Sequence, residues 1–128
     1  MNCQYQLSEL EKLILKFPNK LWSWGIYGIS SNPNISMQFI IDNPDLPWYW
    51  DTFGISSNPN ITIKDITDNP DKPWNWNKIS LNPNITCEFI SDNPDKPWNW
   101  SYINYIFHSI NLIYKIYNLY NSYNIIII

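Results

Sequence analysis

Aspartates three positions apart and paired tryptophans are the residues of this chain whose types and spacing could do chemistry. Asp68 with Asp71, and Asp92 with Asp95, have a spacing that could serve general acid–base work or a weak calcium site. Both pairs belong to a longer pattern that returns along the chain. A catalytic site is needed once, whereas a cap is needed in every copy, so Asp45, Asp71 and Asp95 are expected to cap the segment after each of them. All eight tryptophans fall in W-x-W pairs: Trp22 and Trp24, Trp48 and Trp50, Trp74 and Trp76, Trp98 and Trp100. Such pairs can pack a core or stack on sugars and bases. Core packing is the expectation, with carbohydrate binding as the alternative.

Other reactive chemistry is sparse. His108 is the single histidine, which leaves no histidine triad or histidine-rich metal site. The three glycines, Gly25, Gly28 and Gly54, build no phosphate loop. Cys3 and Cys87 share no motif and form no disulfide framework, so reduced thiols are expected. Neither enzyme activity, nor a cofactor, nor a metal is expected. A net charge of -3 with no arginine speaks against nucleic acid as a partner. Alanine and valine are absent while asparagine, isoleucine, tyrosine and lysine abound, a bias of A/T-rich codons. Glu9, Glu11, Lys12 and Lys16 interrupt the first apolar run, so no secretory signal is expected. Of the sequons at Asn34, Asn60, Asn84 and Asn99, three recur with the internal repeat, which points to a structural job rather than to glycosylation.

The elements that must position these residues come from an internal repeat. Asn32-Pro33-Asn34, Asn58-Pro59-Asn60 and Asn82-Pro83-Asn84 are spaced by 26 (58-32) and 24 (82-58) residues. DNPDLPWYW at 42–50 and DNPDKPWNW at 68–76 and 92–100 keep the same spacing, and FPNKLWSW at 17–24 is a decayed earlier copy. The expected organisation is a capping helix with a degenerate half-repeat over 1–30, three repeats at 31–56, 57–80 and 81–104, and a divergent apolar tail over 105–128. Length varies only between the tryptophan pair and the next NPN: GIYGIS and DTFGIS stand against NKIS. A helix end or loop tolerates such a change where a strand in register does not.

Within one unit, Pro44, Pro70 and Pro94 sit in Asn-Pro-Asp turns, and Pro33, Pro59 and Pro83 in the NPN turns. Two prolines per DNPDKPW motif exclude a central strand. With Asp71 as cap and Pro73 in a first helical turn, the pattern predicts a short helix over Lys72–Ser80, closed by NPN. A second short run comes next at TIKDITD (62–68) and TCEFISD (86–92), where Thr62 and Asp65 have capping-box spacing and Thr86 and Phe89 do not. The fold class is all-α, a short α-solenoid of helix-turn-helix repeats, with a short-strand β repeat as the alternative. Helices this short are marginal alone. They must bury Ile55, Ile61 and Ile66, or Ile79, Ile85, Phe89 and Ile90, against neighbouring copies. On a helix, residues two apart point to nearly opposite sides, so one tryptophan of each pair is expected to face the previous unit and the other the next unit or the groove.

At the front, a helix over 8–17 is expected, with a Ser8–Glu11 capping box and Leu10, Leu13, Ile14 and Phe17 on its buried stripe. The tail at 102–128 places Ile103, Ile106, Phe107, Ile110, Ile113, Tyr114 and Tyr117 on a helical stripe. Three readings of it stand: a helix capping the stack, an extension from a truncated or frameshifted gene, or a membrane-associating tail. Asn104, His108, Asn111, Lys115, Asn118 and Asn121 interrupt it and argue against a spanning helix. The Ile125–Ile128 run is an aggregation hazard if exposed.

The unit NPNIT-x6-NPDKPWNW, with Ile-Ser before the next NPN, resembles the tandem-repeat proteins of giant viruses of amoebae, the mimivirus group. The resemblance covers about residues 17–104 and rests on NPN, Ile-Thr, DNPDKPW and both tryptophans of each pair. Leu21 where proline is expected, Ser36 for threonine, the non-repeat tail and the low copy number depart from it. It implies origin and architecture and carries over no catalytic residue. The expected role is a non-enzymatic scaffold for an unidentified viral or host protein, in host cytoplasm or virion and not secreted. A glycan-binding module and a decayed gene product without function are the alternatives.

Overall fold

A computed structural model describes residues 5–124, with side chains through Leu112 and at Lys115 and Asn118. Cys3, the Ile125–Ile128 run and the side chains of Ile113, Tyr114 and Tyr117 lie outside the described residues. The elements are α1 (Glu9–Lys16), α2 (Met37–Asp42), α3 (Ile63–Asp68), α4 (Trp76–Ile79), α5 (Cys87–Asp92) and α6 (Trp100–Asn124), with 3-10 turns at Ile29–Ser31 and Ile55–Ser57. The protein is all-helical: no strand occurs among the described residues, so the short-strand alternative is not realised. Contacts divide the chain into a unit ending at Trp98 and a second beginning at Asn99.

In the first unit, each NPN triplet makes a β-turn. Ile35, Ile61 and Ile85 donate their N–H to the carbonyls of Asn32, Asn58 and Asn82 at 3.0–3.1 Å. Proline supplies the fixed φ at the second position of such a turn. The turn delivers Ile35 and Ile61 to the core, 0% and 1% exposed. It also delivers the next residue as a helix cap. Ser36, Thr62 and Thr86 accept from the N–H groups of Phe39, Asp65 and Phe89, opening α2, α3 and α5. Both members of the capping box form at Thr62 with Asp65 and at Ser8 with Glu11, and only the threonine half forms at Thr86.

The far ends of these helices are closed by the asparagine of DNP. Asn43, Asn69 and Asn93 turn out of the helix at nearly one conformation, φ -127, -128 and -127. Their side-chain Nδ2 groups donate back to the carbonyls of Phe39, Asp65 and Phe89 at 2.8–2.9 Å. Six-residue helices thus have partners at both ends, where helices otherwise leave backbone groups orphaned.

The helix expected over Lys72–Ser80 does not form over that span, and Asp45, Asp71 and Asp95 cap nothing. Asn69-Pro70-Asp71-Lys72 is instead a β-turn closed by Lys72 N–H to the Asn69 carbonyl at 3.3 Å. Trp74 N–H then bonds the Lys72 carbonyl at 2.8 Å, a three-residue turn centred on Pro73. Pro73 bars Lys72 from the α region, so helix begins only at Trp76, capped by Asn75. The two aspartate-containing turns at Asp45 and Asp95 close in the same way, with Trp48 bonding Leu46 and Trp98 bonding Lys96 at 2.7 Å. Trp22 N–H bonds the Lys20 carbonyl at 2.9 Å across Leu21, so the turn forms there without its proline.

The length variation has a local cause. In the longer copies, Ile29 N–H reaches the Ser23 carbonyl and Ile55 N–H the Tyr49 carbonyl, both at 2.7 Å, closing a loop before a 3-10 turn. In the shorter copy α4 replaces loop and turn, with Ser80 N–H on the Trp76 carbonyl at 2.9 Å. Ile29, Ile55 and Ile79 reach the core by either route, at 6%, 0% and 0% exposure. Ile85, Phe89 and Ile90 in the last copy are only half-buried.

At the front, α1 buries Glu11 and Ile14, while Leu13 and Phe17 stay 45% and 40% exposed. The expected apolar stripe is thus rotated toward the capping glutamate. In the second unit, α6 realises the helix expected in the tail, with Ile103 buried, Ile106 half-buried, and Phe107 and Ile110 exposed. Asn99 Oδ1 accepts the Tyr102 N–H at 3.0 Å at its start. Among the described residues, no helix is long and apolar enough to cross a membrane.

Candidate functional site

The strongest chemistry of the first unit lies between copies. Buried Asn58 donates from Nδ2 to the carbonyls of Asn32 at 2.9 Å and Ile35 at 3.1 Å. Its Oδ1 accepts the Asn60 N–H at 3.0 Å. Asn82 repeats the arrangement one copy on, with the carbonyls of Asn58 and Ile61 at 3.3 and 3.0 Å and the Asn84 N–H at 2.8 Å. Asn60 and Asn84 reach back to the carbonyls of Pro33 and Pro59. The period of the sequons thus serves structure. Buried Ser30 and Ser56 add a second link, accepting the N–H of Tyr49 at 2.9 Å and of Asn75 at 2.8 Å. No apolar pattern marks these residues. Their signal is the return of the same polar residue in each copy.

The tryptophans divide into two sets. The first of each pair, Trp22, Trp48, Trp74 and Trp98, donates its indole N–H to the carbonyl of Phe17, Asn43, Asn69 or Asn93 at 2.7–3.0 Å. The second turns its ring to the next copy. Trp24 meets Trp48, Trp50 meets Trp74 and Trp76 meets Trp98, edge to face, with centroids 5.1–5.2 Å apart. In the pairs Trp48/Trp50 and Trp74/Trp76 the first ring therefore meets the previous copy and the second the next, although only Trp76 of these four lies in a helix. Trp74 and Trp98 are core, 7% and 5% exposed, while Trp100, which opens α6, is 57% exposed. Among the described residues the indole N–H groups of Trp24, Trp50 and Trp76 meet no acceptor.

A buried carboxylate joins α1 to the copy after it. Glu11, 1% exposed, accepts on Oε1 from the Ser36 N–H at 2.8 Å and its hydroxyl at 2.9 Å. Its Oε2 accepts from the Ser8 N–H at 2.8 Å and the Tyr5 hydroxyl at 2.5 Å. Burial works to raise the Glu11 pKa, but the bonds from Tyr5, Ser36 and Ser8 together outweigh it and hold the group below its ordinary value of 4.5. Burial, and then the bond to Glu11, push the Tyr5 phenol up to about 12.

The aspartates of the DNPD segments lie at the surface. Asp68 pairs with Lys64 on an exposed helix face, and Asp45, Asp71 and Asp95 lie exposed in their turns. Among the described residues, no three histidine, cysteine or carboxylate side chains gather to hold a metal. His108 and Cys87 are exposed.

Two surface features remain. The length-variable loops carry Ile26 and Tyr27, 58% and 82% exposed, with Tyr27 against Phe53 at 5.2 Å and Lys78 Nζ 5.0 Å from the Phe53 centroid. On another part of the unit, a cleft of about 290 Å³ opens among Trp48, Trp50, Pro44, Pro73, Asp71 and Lys72. Set against known protein families, curated proteins and solved structures, the chain matches none.

Proposed function

We propose that the chain is a short α-solenoid and a non-enzymatic scaffold, whose stacked copies present a ridge of loops to another protein, viral or host. The observation that carries this reading is the ridge of Tyr27, Phe53 and Lys78. Tyr27 sits at φ 55, where a residue with a Cβ is disfavoured by about 1–2 kcal/mol. The residue is nonetheless 82% exposed. Strain held at an exposed aromatic residue suits recognition better than packing. The loops that carry the ridge differ in length, while the asparagine and indole contacts beneath them recur. Binding residues on variable loops over a rigid frame follow the usual division of labour. In this reading α-solenoid stability is the sum of contacts between neighbouring copies.

The test is affinity capture from infected amoebal lysate with the intact chain and with a Tyr27→Ala/Phe53→Ala variant. A protein retained by the first and lost by the second is the expected result. Capture of nothing above background, or equal capture by both, would overturn the reading.

A further inference from the structure

We propose that the cleft beside Trp50 is a binding subsite for the pyranose ring of a neutral sugar. The cleft holds the mixture of surfaces such a ring requires. Trp48, Pro44 and Pro73, with Ile40 and Ile41, give an apolar lining for its C–H faces. Asp71 supplies an acceptor for hydroxyls, and it takes part in no side-chain hydrogen bond or ion pair among the described residues. Lys72 supplies a donor, and Trp50, with no acceptor at its indole N–H, supplies another. A few polar groups set around an apolar concavity are the general form of a small-molecule site. At about 290 Å³ the cleft lies at the small end of such sites, suited to a single ring.

The comparison between copies within the chain sharpens the assignment. One copy on, the matching groups are Trp76, Asp95, Lys96 and Pro97, and there Lys96 Nζ lies over the Trp76 ring at 5.0 Å. That indole is occupied by its own lysine. One copy back, Leu46 stands where the lysine would be, so the donor is missing. Trp50 combines aspartate and lysine with an indole that no lysine covers. A cationic ligand fits less well, because Lys72 lines the same cleft. A neutral polyol uses both charges without repulsion. The subsite is independent of the Tyr27–Phe53 ridge, and neither proposal requires the other.

The test uses the full chain, nitrogen-labelled, and reads the indole N–H resonances during titration with the methyl glycosides of glucose, galactose, mannose and N-acetylglucosamine. For at least one probe, the Trp50 signal moves saturably with Kd about 1 mM, the affinity expected for about a dozen heavy atoms. The Trp22 and Trp98 signals stay in place. Asp71→Ala removes an exposed side chain with no hydrogen-bond partner in the fold, so its circular dichroism matches the parent while the Kd rises about tenfold or more. No movement of Trp50 with any probe at about 50 mM, well past the expected Kd, overturns the proposal. So does a titration that Asp71→Ala leaves unchanged. The ridge variant Tyr27→Ala/Phe53→Ala binds the sugar as the parent does, so failure here and failure of the scaffold reading are separate results.

Discussion

The Asn58 side chain reaches 26 residues back to donate to the Asn32 carbonyl at 2.9 Å, and Asn82 reaches 24 residues back to do the same to Asn58. Because the acceptor is backbone and the donor is fixed by its own Asx contact to Asn60, the link does not depend on the length of the chain between copies. That is why the repeat can lose two residues and keep its register.

Replacing Asn58 should therefore uncouple two copies rather than disturb one. Asn58→Ala leaves the Ile35 carbonyl and the Asn60 N–H without this partner in a buried place, at a cost of about 3 kcal/mol. Asn58→Asp is nearly the same shape but directs a carboxylate oxygen at two carbonyl oxygens, so it should be the worse of the two. Urea unfolding followed by circular dichroism ranks the variants. An aspartate variant as stable as the parent would contradict the donor role.

Trp74 joins the same two layers through its edge contact with Trp50 and its N–H to the Asn69 carbonyl. Trp74→Phe should cost about 2 kcal/mol from the lost bond and reduced contact, and Trp74→Ala about 3–5 kcal/mol. Trp100, exposed, should tolerate alanine within about 0.5 kcal/mol. Emission of the intact chain should be blue-shifted and partly protected from quenchers, with Trp100→Phe removing quenchable signal. Equal losses at Trp74 and Trp100 would break the distinction between core and surface indoles.

The all-helical class is legible in the sequence because prolines and period are local signals, and the opposed directions of the pairs Trp48/Trp50 and Trp74/Trp76 because residues two apart point to nearly opposite sides of a helix and of extended chain alike. The placement of helix is not. Pro73 suits the first turn of a helix, yet its stronger effect is on Lys72, the residue before it. The true caps, Ser36, Thr62 and Thr86, stand after the NPN turns, and a turn followed by Ile-Thr suits a cap as well as Asn-Pro-Asp does. Burial of Glu11 is hidden for another reason. Its capping-box position is readable from Ser8, but its two bonds to Ser36 cross 25 residues, and no local pattern announces a partner so distant.

Gly54 tests the loop of the longer copies. A Cβ there would lie 1.8 Å from the Tyr49 carbonyl oxygen, and backbone cannot swing aside as a side chain can. Gly54→Ala should destabilise the chain by about 2–3 kcal/mol. Gly25→Ala, where nothing lies within 4 Å, should be near neutral. Thermal unfolding of the two variants gives the comparison. A tolerated alanine at Gly54 would show that the Ile55–Tyr49 closure is not required.

Glu11 gives the chain an acid-sensitive joint. Its folded pKa lies below the ordinary 4.5, so the charged form binds the native state more tightly than the neutral form does. Its contribution is complete above pH 4.5 and fades as pH falls through the depressed folded value. Glu11→Gln keeps the shape but presents an amide N–H₂ where Tyr5 and Ser8, or Ser36, also donate. It should cost about 2 kcal/mol at neutral pH and remove part of the acid dependence. The difference in urea midpoint between parent and variant should therefore narrow below pH 4.5 and stay constant from there to neutrality. A difference that does not narrow in acid would mean that the Glu11 charge has no part in holding α1 to Ser36.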